Sequence, residues 1–278
     1  MRIITVTNIQ VVLRRPLFKR VRIKKRHIMY FLREGSADTE APHFERLPQP
    51  PATKDGNQLL FFPEISVAKW FYESGIAEKH LIHWVYDTFI DPKKNFVDIG
   101  AHVGTYTWTC GKKAAHTYAF ECSPKTFCYL AANVALHGLE ERVSPYPFAL
   151  GDHEGHIDYF VRSADGGGNG VKVLNSKDES TQRIKIPMKT LDSFGLTNIG
   201  FIKIDVEGFE KEVLQGAQET LRSNNYPTIL FESWGDWKNA EGVNASGIRN
   251  ELFEYLQSIG YVVRPVMNVR DMYFAEYR

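Results

Sequence analysis

The chain is poor in cysteine, has no long apolar run and carries no acidic residue in its first 33 positions. Its three cysteines, Cys110, Cys122 and Cys128, are odd in number and lack zinc-site spacing, which argues against a disulfide framework and fits a reducing compartment. No apolar run approaches the roughly 18 to 20 residues needed to cross a bilayer. The N-terminus, Met1-Arg-Ile-Ile-Thr-Val, has neither the long apolar segment nor the cleavage site of a secretory leader. These absences predict a soluble, cytoplasmic protein.

The missing acidic residues divide the chain in kind. Residues 1–33 hold ten of the 34 Lys and Arg, which leaves 24 basic against 33 acidic residues in the remainder, a balance of −9 behind a net charge of +1. A basic arm of this sort can bind nucleic acid, an anionic membrane surface or an acidic protein body. Its Val21-Arg-Ile-Lys alternation also suits a strand laid on the domain. Residues 35–57 then contain Gly35, Ser36, Pro42, Pro48, Pro50, Pro51 and Gly56, the composition of a linker. The expected organisation is a basic extension with a Pro-rich linker over 1–57 and one domain over 58–278, with a hydrophobic fraction of 43% to build its core.

The domain is organised around Asn95-Phe-Val-Asp-Ile-Gly-Ala-His-Val-Gly-Thr-Tyr-Thr107, a strand, a glycine turn and a helix start. Such a unit binds nucleotides. A pyrophosphate turn needs three glycines and no anion just before them, because backbone N–H groups must approach two phosphates. Here Asp98 precedes Gly100 and Gly104, and the third glycine is missing. A carboxylate there repels phosphate and suits the cationic sulfonium and ammonium of S-adenosylmethionine. Glu121, closing the run Thr117-Tyr-Ala-Phe120, can accept both ribose hydroxyls. An ordinary α/β turn in which Asp98 caps the helix is the alternative.

Strands and helices alternate from Glu78 onward. Helices are expected over 65–72, 78–89, 106–113 and from Ser123-Pro124 to Gly138, with one helix over 210–221 and another over 248–259. Strands are expected at 58–62, 96–99, 117–121, 143–150, 184–188 (edge-like, with Pro187), 201–205 and 228–232, and a closing hairpin at 261–267 and 272–277. This alternation predicts a mainly parallel sheet with helices on both faces, and ligands at the carboxyl ends of its strands. Asp98, Glu121, Leu150, Asp205 and Glu232 fall along that edge.

The segments VDIGAHVGTYT, AFECSP, ALGDHEG, TLDSF, FIKIDVEGFEKEVLQGA and ILFES, in this order, resemble the FkbM-type S-adenosylmethionine-dependent methyltransferases from about Glu73 to Trp234. The resemblance implies an α/β, Rossmann-like, seven-stranded class I methyltransferase fold with a C-terminal antiparallel hairpin, and O-methylation of sugars or other small hydroxylated acceptors. Carried onto this chain, the donor site comprises Asp98, Gly100, Ala101, His102, Gly104, Thr105 and Tyr106, with Glu121 and Ser123 after the second strand. Ala149, Leu150 and Asp152 lie towards the adenine. The chain departs from the family at His102, where Asn is commoner, and in its basic extension.

The acceptor must lose a proton as it attacks the methyl group in line with the sulfonium, so a base is needed within hydrogen-bond reach. Asp205, at the mouth of its strand, is the candidate base, with a helix cap as its alternative role. Glu207 in the following turn is placed to orient the acceptor. Lys203, expected to be nearly buried, should pair with Asp98, Asp205 or Glu232. Asp205, Glu207 and Glu232 could also offer oxygen ligands to Mg²⁺ or Mn²⁺, although Lys203 beside them disfavours a metal. Trp234 and Trp237, following the strand that ends at Glu232, would offer indole faces to a sugar ring, or merely anchor a loop. Asp165-Gly-Gly-Gly-Asn-Gly170 suits a mobile lid or a plain hairpin loop.

The leading expectation is therefore an O-methyltransferase using S-adenosylmethionine and releasing S-adenosylhomocysteine, with a small-molecule or glycan acceptor. A ribose methyltransferase of RNA is a second reading, disfavoured because the acidic body lacks a basic face for a polyanion. A non-catalytic S-adenosylmethionine-binding module is the third.

Overall fold

The computed structural model describes residues 2–6, 9–13, 20–23, 75–76, 78–161, 169–171, 182–241 and 243–278. The chain divides into two compact units, Met1–Ala52 and Thr53–Arg278. In the first, β1 (Arg2–Val6), β2 (Ile9–Leu13) and β3 (Arg20–Ile23) form an antiparallel sheet in that order. The expected linker, the strand at 58–62 and the helix at 65–72 lie outside the described residues.

The second unit begins its described part with α1 (Lys79–Thr88) and β4 (Asn95–Ile99). There follow α2 (Thr105–Gly111), β5 (Thr117–Phe120), α3 (Pro124–Leu136) and β6 (Val143–Tyr146). After β7 (Ala149–Leu150), β8 (Gly155–Val161) and β9 (Gln182–Lys189) come β10 (Ile199–Ile204), α4 (Glu210–Gln215) and α5 (Gln218–Ser223). The chain closes with β11 (Thr228–Glu232), α6 (Ala245–Ser258), β12 (Tyr261–Pro265) and β13 (Met272–Tyr277).

Seven of these strands form one sheet in the order β12-β13-β11-β10-β4-β5-β6. β11, β10, β4, β5 and β6 run parallel, and β13 and β12 pair antiparallel at one side. The sheet is thus mainly parallel with a C-terminal antiparallel hairpin, as expected. The order reverses between β4 and β10, where two parallel crossovers leave in opposite directions, and a crevice opens at such a point.

The two faces of the sheet are read off the strand period of two. Phe96, Phe201 and Leu230 join Leu81, Tyr106, Trp108 and Leu130 in one apolar cluster. Val97, Ile99, Ile202, Ile204, Ile229 and Phe231 join Val213, Leu214, Leu252 and Leu256 on the other. Asp98 and Lys203 consequently fall on the Phe96 face, and they are register partners across β4 and β10.

Three expectations are corrected. The strand expected over 143–150 is two: β6 stays in the main sheet and β7 joins a second sheet of order β7-β9-β8. Pro147 between them has no N–H to continue the ladder. β9, expected at an edge because of Pro187, is the middle strand of that sheet, but β7 pairs only with Met188 and Lys189, so Pro187 lies just beyond that ladder. The single helix expected over 210–221 breaks at Gly216, where a Cβ would stand 1.9 Å from the carbonyl oxygen of Gly151. The break lets the Gly151 turn dock.

Candidate active site

A cavity of about 390 Å³ opens at the carboxyl ends of β4, β5, β10 and β11. Its floor is the turn after β4. Gly100 and Ala101 both donate backbone N–H bonds to the carbonyl of Phe120 at 2.9 Å, and Asn133 Nδ2 holds the carbonyl of Val103 at 2.8 Å. Gly100 has φ +73, and a Cβ on it would lie 1.7 Å from the backbone oxygen of Asp205. The turn therefore rests directly on the end of β10, which only glycine permits.

Glu121 forms one end of the cavity. Its Oε2 accepts the backbone N–H of His102 at 2.9 Å and its Oε1 that of Ser123 at 2.8 Å. Burial pushes its carboxyl up to about 7 against these two donors. Ser123 itself is buried and caps α3, its hydroxyl accepting from the N–H of Thr126. His102 sits in the left-handed region, φ 51, and its Nε2 has no hydrogen-bond partner among the described residues. Burial lowers its imidazole to about 4, so the ring is neutral at physiological pH.

Lys203 forms the other end. Its Nζ donates to the carbonyl of Gly100 at 2.9 Å and lies 3.2 Å from Asp205 Oδ2 and 3.8 Å from Asp98 Oδ1. Burial alone would lower its pKa, but the charges of Asp205 and Asp98 outweigh it and hold the ammonium above its ordinary range. Asp98 is fully buried and accepts from Thr107 Oγ1 at 2.5 Å. It lies beneath the cavity rather than on its wall, with Lys203 as its counter-charge.

Removing that counter-charge is testable. Lys203→Met should cost about 3 kcal/mol or more, because it leaves Asp98 buried and unpaired. Burial already raises the Asp98 carboxyl and Lys203 opposes this, so the variant's Asp98 would titrate higher still. A raised folded-state pKa gives stability that is present at low pH and lost as pH rises. The deficit against wild type, measured by urea unfolding, should be small near the unfolded Asp value of about 4 and grow towards neutrality. A deficit that shrinks with rising pH would contradict the pairing.

The turn after β10 carries the remaining acids. Glu210, buried at the start of α4, accepts the N–H groups of Val206 and Gly208 at 3.1 Å and so fixes the turn. Glu207 is left-handed, φ 56, and accepts from Trp234 Nε1 at 3.1 Å. Burial and the charge of Asp205 push its carboxyl up to about 8. Burial, then Asp205 and Glu207, push Glu232 well above the ordinary carboxylate range. Asp205, Glu207 and Glu232 each present an oxygen within 4.8 Å of the others. That is a hard, all-oxygen donor set of the kind Mg²⁺ or Mn²⁺ accepts, with Lys203 competing for Asp205.

Of the expected site residues, Gly100, Ala101, His102, Thr105, Tyr106 and Glu121 line the cavity, as do Ala149, Leu150, Lys203, Asp205, Glu207 and Glu232. Asp98, Gly104, Ser123 and Asp152 do not; Asp152 is exposed and bound to His153 Nδ1 at 2.7 Å. Trp234, expected to show an indole face, is 4% exposed, because Gly208 leaves its ring room and Glu207 takes its N–H. Trp237 is 43% exposed but is not on the cavity wall; Lys238 and Arg270 lie over its ring, and its Nε1 donates to Asp271.

Sequence reasoning missed Glu78, Cys122, Phe148 and Tyr159, all on the wall. Tyr159 arrives from β8, whose pairing no local pattern announces. Asn169 and Gly170, the described end of the Gly-rich stretch, and Val171 beside them also reach the wall, Gly170 through a bridge to Phe160; residues 165–168, the rest of the expected lid, lie outside the described residues.

The methyltransferase FkbM domain model matches residues 98–263, more than half of the chain. The chain belongs to that family. A hexuronic acid methyltransferase (AglP) of Haloferax volcanii is 28% identical over 142 residues, covering 51% of this chain and 57% of that protein. "Methyltransferase 1" of Beauveria bassiana is 25% identical over 191 residues, covering 60% of this chain and 76% of that one. Among solved structures, an FkbM methyltransferase of Methylobacillus flagellatus is 16% identical with a TM-score of 0.46, covering 76% of this chain and 52% of that one. The chain thus spans little more than half the length of the Haloferax relative. The FkbM span begins at the buried Asp98 and includes every cavity-lining carboxylate except Glu78.

Proposed function

We propose that this chain transfers the methyl group of S-adenosylmethionine to a hydroxyl of a sugar, with Asp205 as the base. The observation that carries the reading is one cavity bounded by Glu121 at one end and by the Lys203–Asp205 pair at the other. About 390 Å³ falls within the range of small-molecule sites. Each Glu121 oxygen uses one lone pair on a backbone N–H and keeps another for a ribose hydroxyl. A ribose there directs the sulfonium towards Asp205.

In the reaction the acceptor oxygen attacks the methyl carbon, the S–CH₃ bond breaks, and its electron pair stays on sulfur, giving S-adenosylhomocysteine. The hydroxyl proton passes to Asp205. Lys203, held charged, fixes Asp205 Oδ2, and Glu232, its carboxyl pushed well above the ordinary range by burial and the charge of Asp205, is hydrogen-bonded to Asp205. The sugar class is supported by the name of the Haloferax relative, whose acceptor is a hexuronic acid.

The test is transfer of labelled methyl from S-adenosylmethionine to a panel of neutral sugars, hexuronic acids and RNA. Label in a sugar is the expected result; label only in RNA, or in none, would overturn the reading. A second reading, favoured by the 4.8 Å convergence of Asp205, Glu207 and Glu232, gives these three a divalent cation that acidifies the acceptor hydroxyl. Loss of transfer after chelation and its return with Mg²⁺ would establish it, and an unchanged rate would remove it.

A further inference from the structure

Glu78 lies 20 residues ahead of the FkbM span, yet its side chain is part of the cavity wall. It stands at the N-cap of α1 in the left-handed region, φ 54, a conformation that costs a non-glycine residue about 1–2 kcal/mol. Its side chain makes no capping bond to its own helix. Instead Oε2 accepts from Tyr106 Oη at 2.9 Å, and the Tyr106 ring lies 5.5 Å from Lys203 Nζ. The residue is exposed as a whole, but its carboxyl end is crowded: burial, then the charge of Asp205, raises its pKa, with Lys203 opposing. Glu78 therefore faces the Lys203–Asp205 end.

The opposite end has a different chemistry. Tyr159 lies near Glu121, and with Phe148 and Leu150, which also line the cavity, it offers an aromatic and apolar wall suited to a purine. A donor with its ribose on Glu121 and its base on that wall sends its amino-acid tail towards Gly100, Lys203 and Glu78. The Lys203 ammonium is already engaged by Gly100, Asp205 and Asp98. A second cation at that end needs a carboxylate outside this cluster. Glu78 supplies one.

We propose that Glu78 receives the α-ammonium of the amino-acid tail of S-adenosylmethionine, so that the segment preceding the FkbM span completes the donor site. This rests on the donor reading above. Tyr106 holds the carboxylate in place through its hydroxyl.

Calorimetric titration of the full chain with S-adenosylmethionine, S-adenosylhomocysteine and 5′-methylthioadenosine tests it, since only the first two carry the ammonium. Glu78→Gln should weaken the first two by about ten-fold, the scale of one charge-assisted hydrogen bond, and leave methylthioadenosine unchanged. Tyr106→Phe should weaken the same two by less. Wild-type binding of none of the three would sink the donor reading itself. Wild-type binding with no change in Glu78→Gln would sink only the Glu78 assignment. An equal loss for all three ligands would also overturn it, because Glu78 would then be shaping the cavity rather than meeting a charge.

Discussion

Replacing Asp205 by Asn should lower the rate of methyl transfer by about 10²–10⁴-fold, the range for removal of a positioned general base. The substitution keeps the size of the side chain and an oxygen for Lys203, now 3.2 Å from Asp205 Oδ2, so the fold and donor affinity should survive. The loss should appear in kcat, with the KM for S-adenosylmethionine changed only slightly, because a base acts in the transition state and not in donor binding. Single-turnover transfer at saturating donor reads this directly. Full activity in Asp205→Asn would show that the proton goes elsewhere, with Glu207 the next carboxylate to test.

Among the described glycines, Gly100→Ala should have the largest structural effect. Gly100 and Gly138 have similar positive φ values, +73 and +66, but a Cβ at Gly138 meets nothing within 4 Å, whereas one at Gly100 meets the Asp205 oxygen at 1.7 Å. Gly138→Ala should therefore cost only the left-handed strain, about 1–2 kcal/mol. Gly100→Ala adds a backbone collision on both sides of the site, so a loss beyond about 4 kcal/mol, or no folded protein, is expected. Thermal melting of the two variants side by side checks it. Equal and mild destabilisation would mean that the turn does not rest on the end of β10.

Where the sequence was legible, a local period or a turn residue set the structure. The alternation in Phe96–Ile99 and Phe201–Asp205 placed the strands, and Ser123-Pro124 started α3 as the capping rules require. The carboxylates at strand ends were equally legible, because a parallel sheet puts all such ends on one edge. Burial was less so. Asp98 was expected in the donor site; that it is fully buried with Lys203 as its register partner depends on how β4 and β10 pair, which no local pattern announces. Trp234 follows a strand just as Trp237 does, and the space left by Gly208 with the bond to Glu207 buries one and not the other. Glu78 and Tyr159 were illegible because each reaches the cavity through a long-range contact, the first with Tyr106 and the second from β8.

The basic extension adds a sheet of its own, β1 to β3, with Val21-Arg-Ile in β3. Among the described residues no helix is long and apolar enough to cross a membrane. Contact of residues 1–33 with an anionic surface is a proposal that vesicle co-sedimentation would test.

The central claim is that one cavity, from Glu121 to Asp205, holds the methyl donor. A crystal structure of the full chain grown with S-adenosylhomocysteine tests it most directly. Density with the ribose hydroxyls on Glu121, the base against Phe148 and Tyr159 and the sulfur turned towards Asp205 is the predicted result. Density elsewhere on the protein, or an empty cavity at saturating ligand, would contradict it.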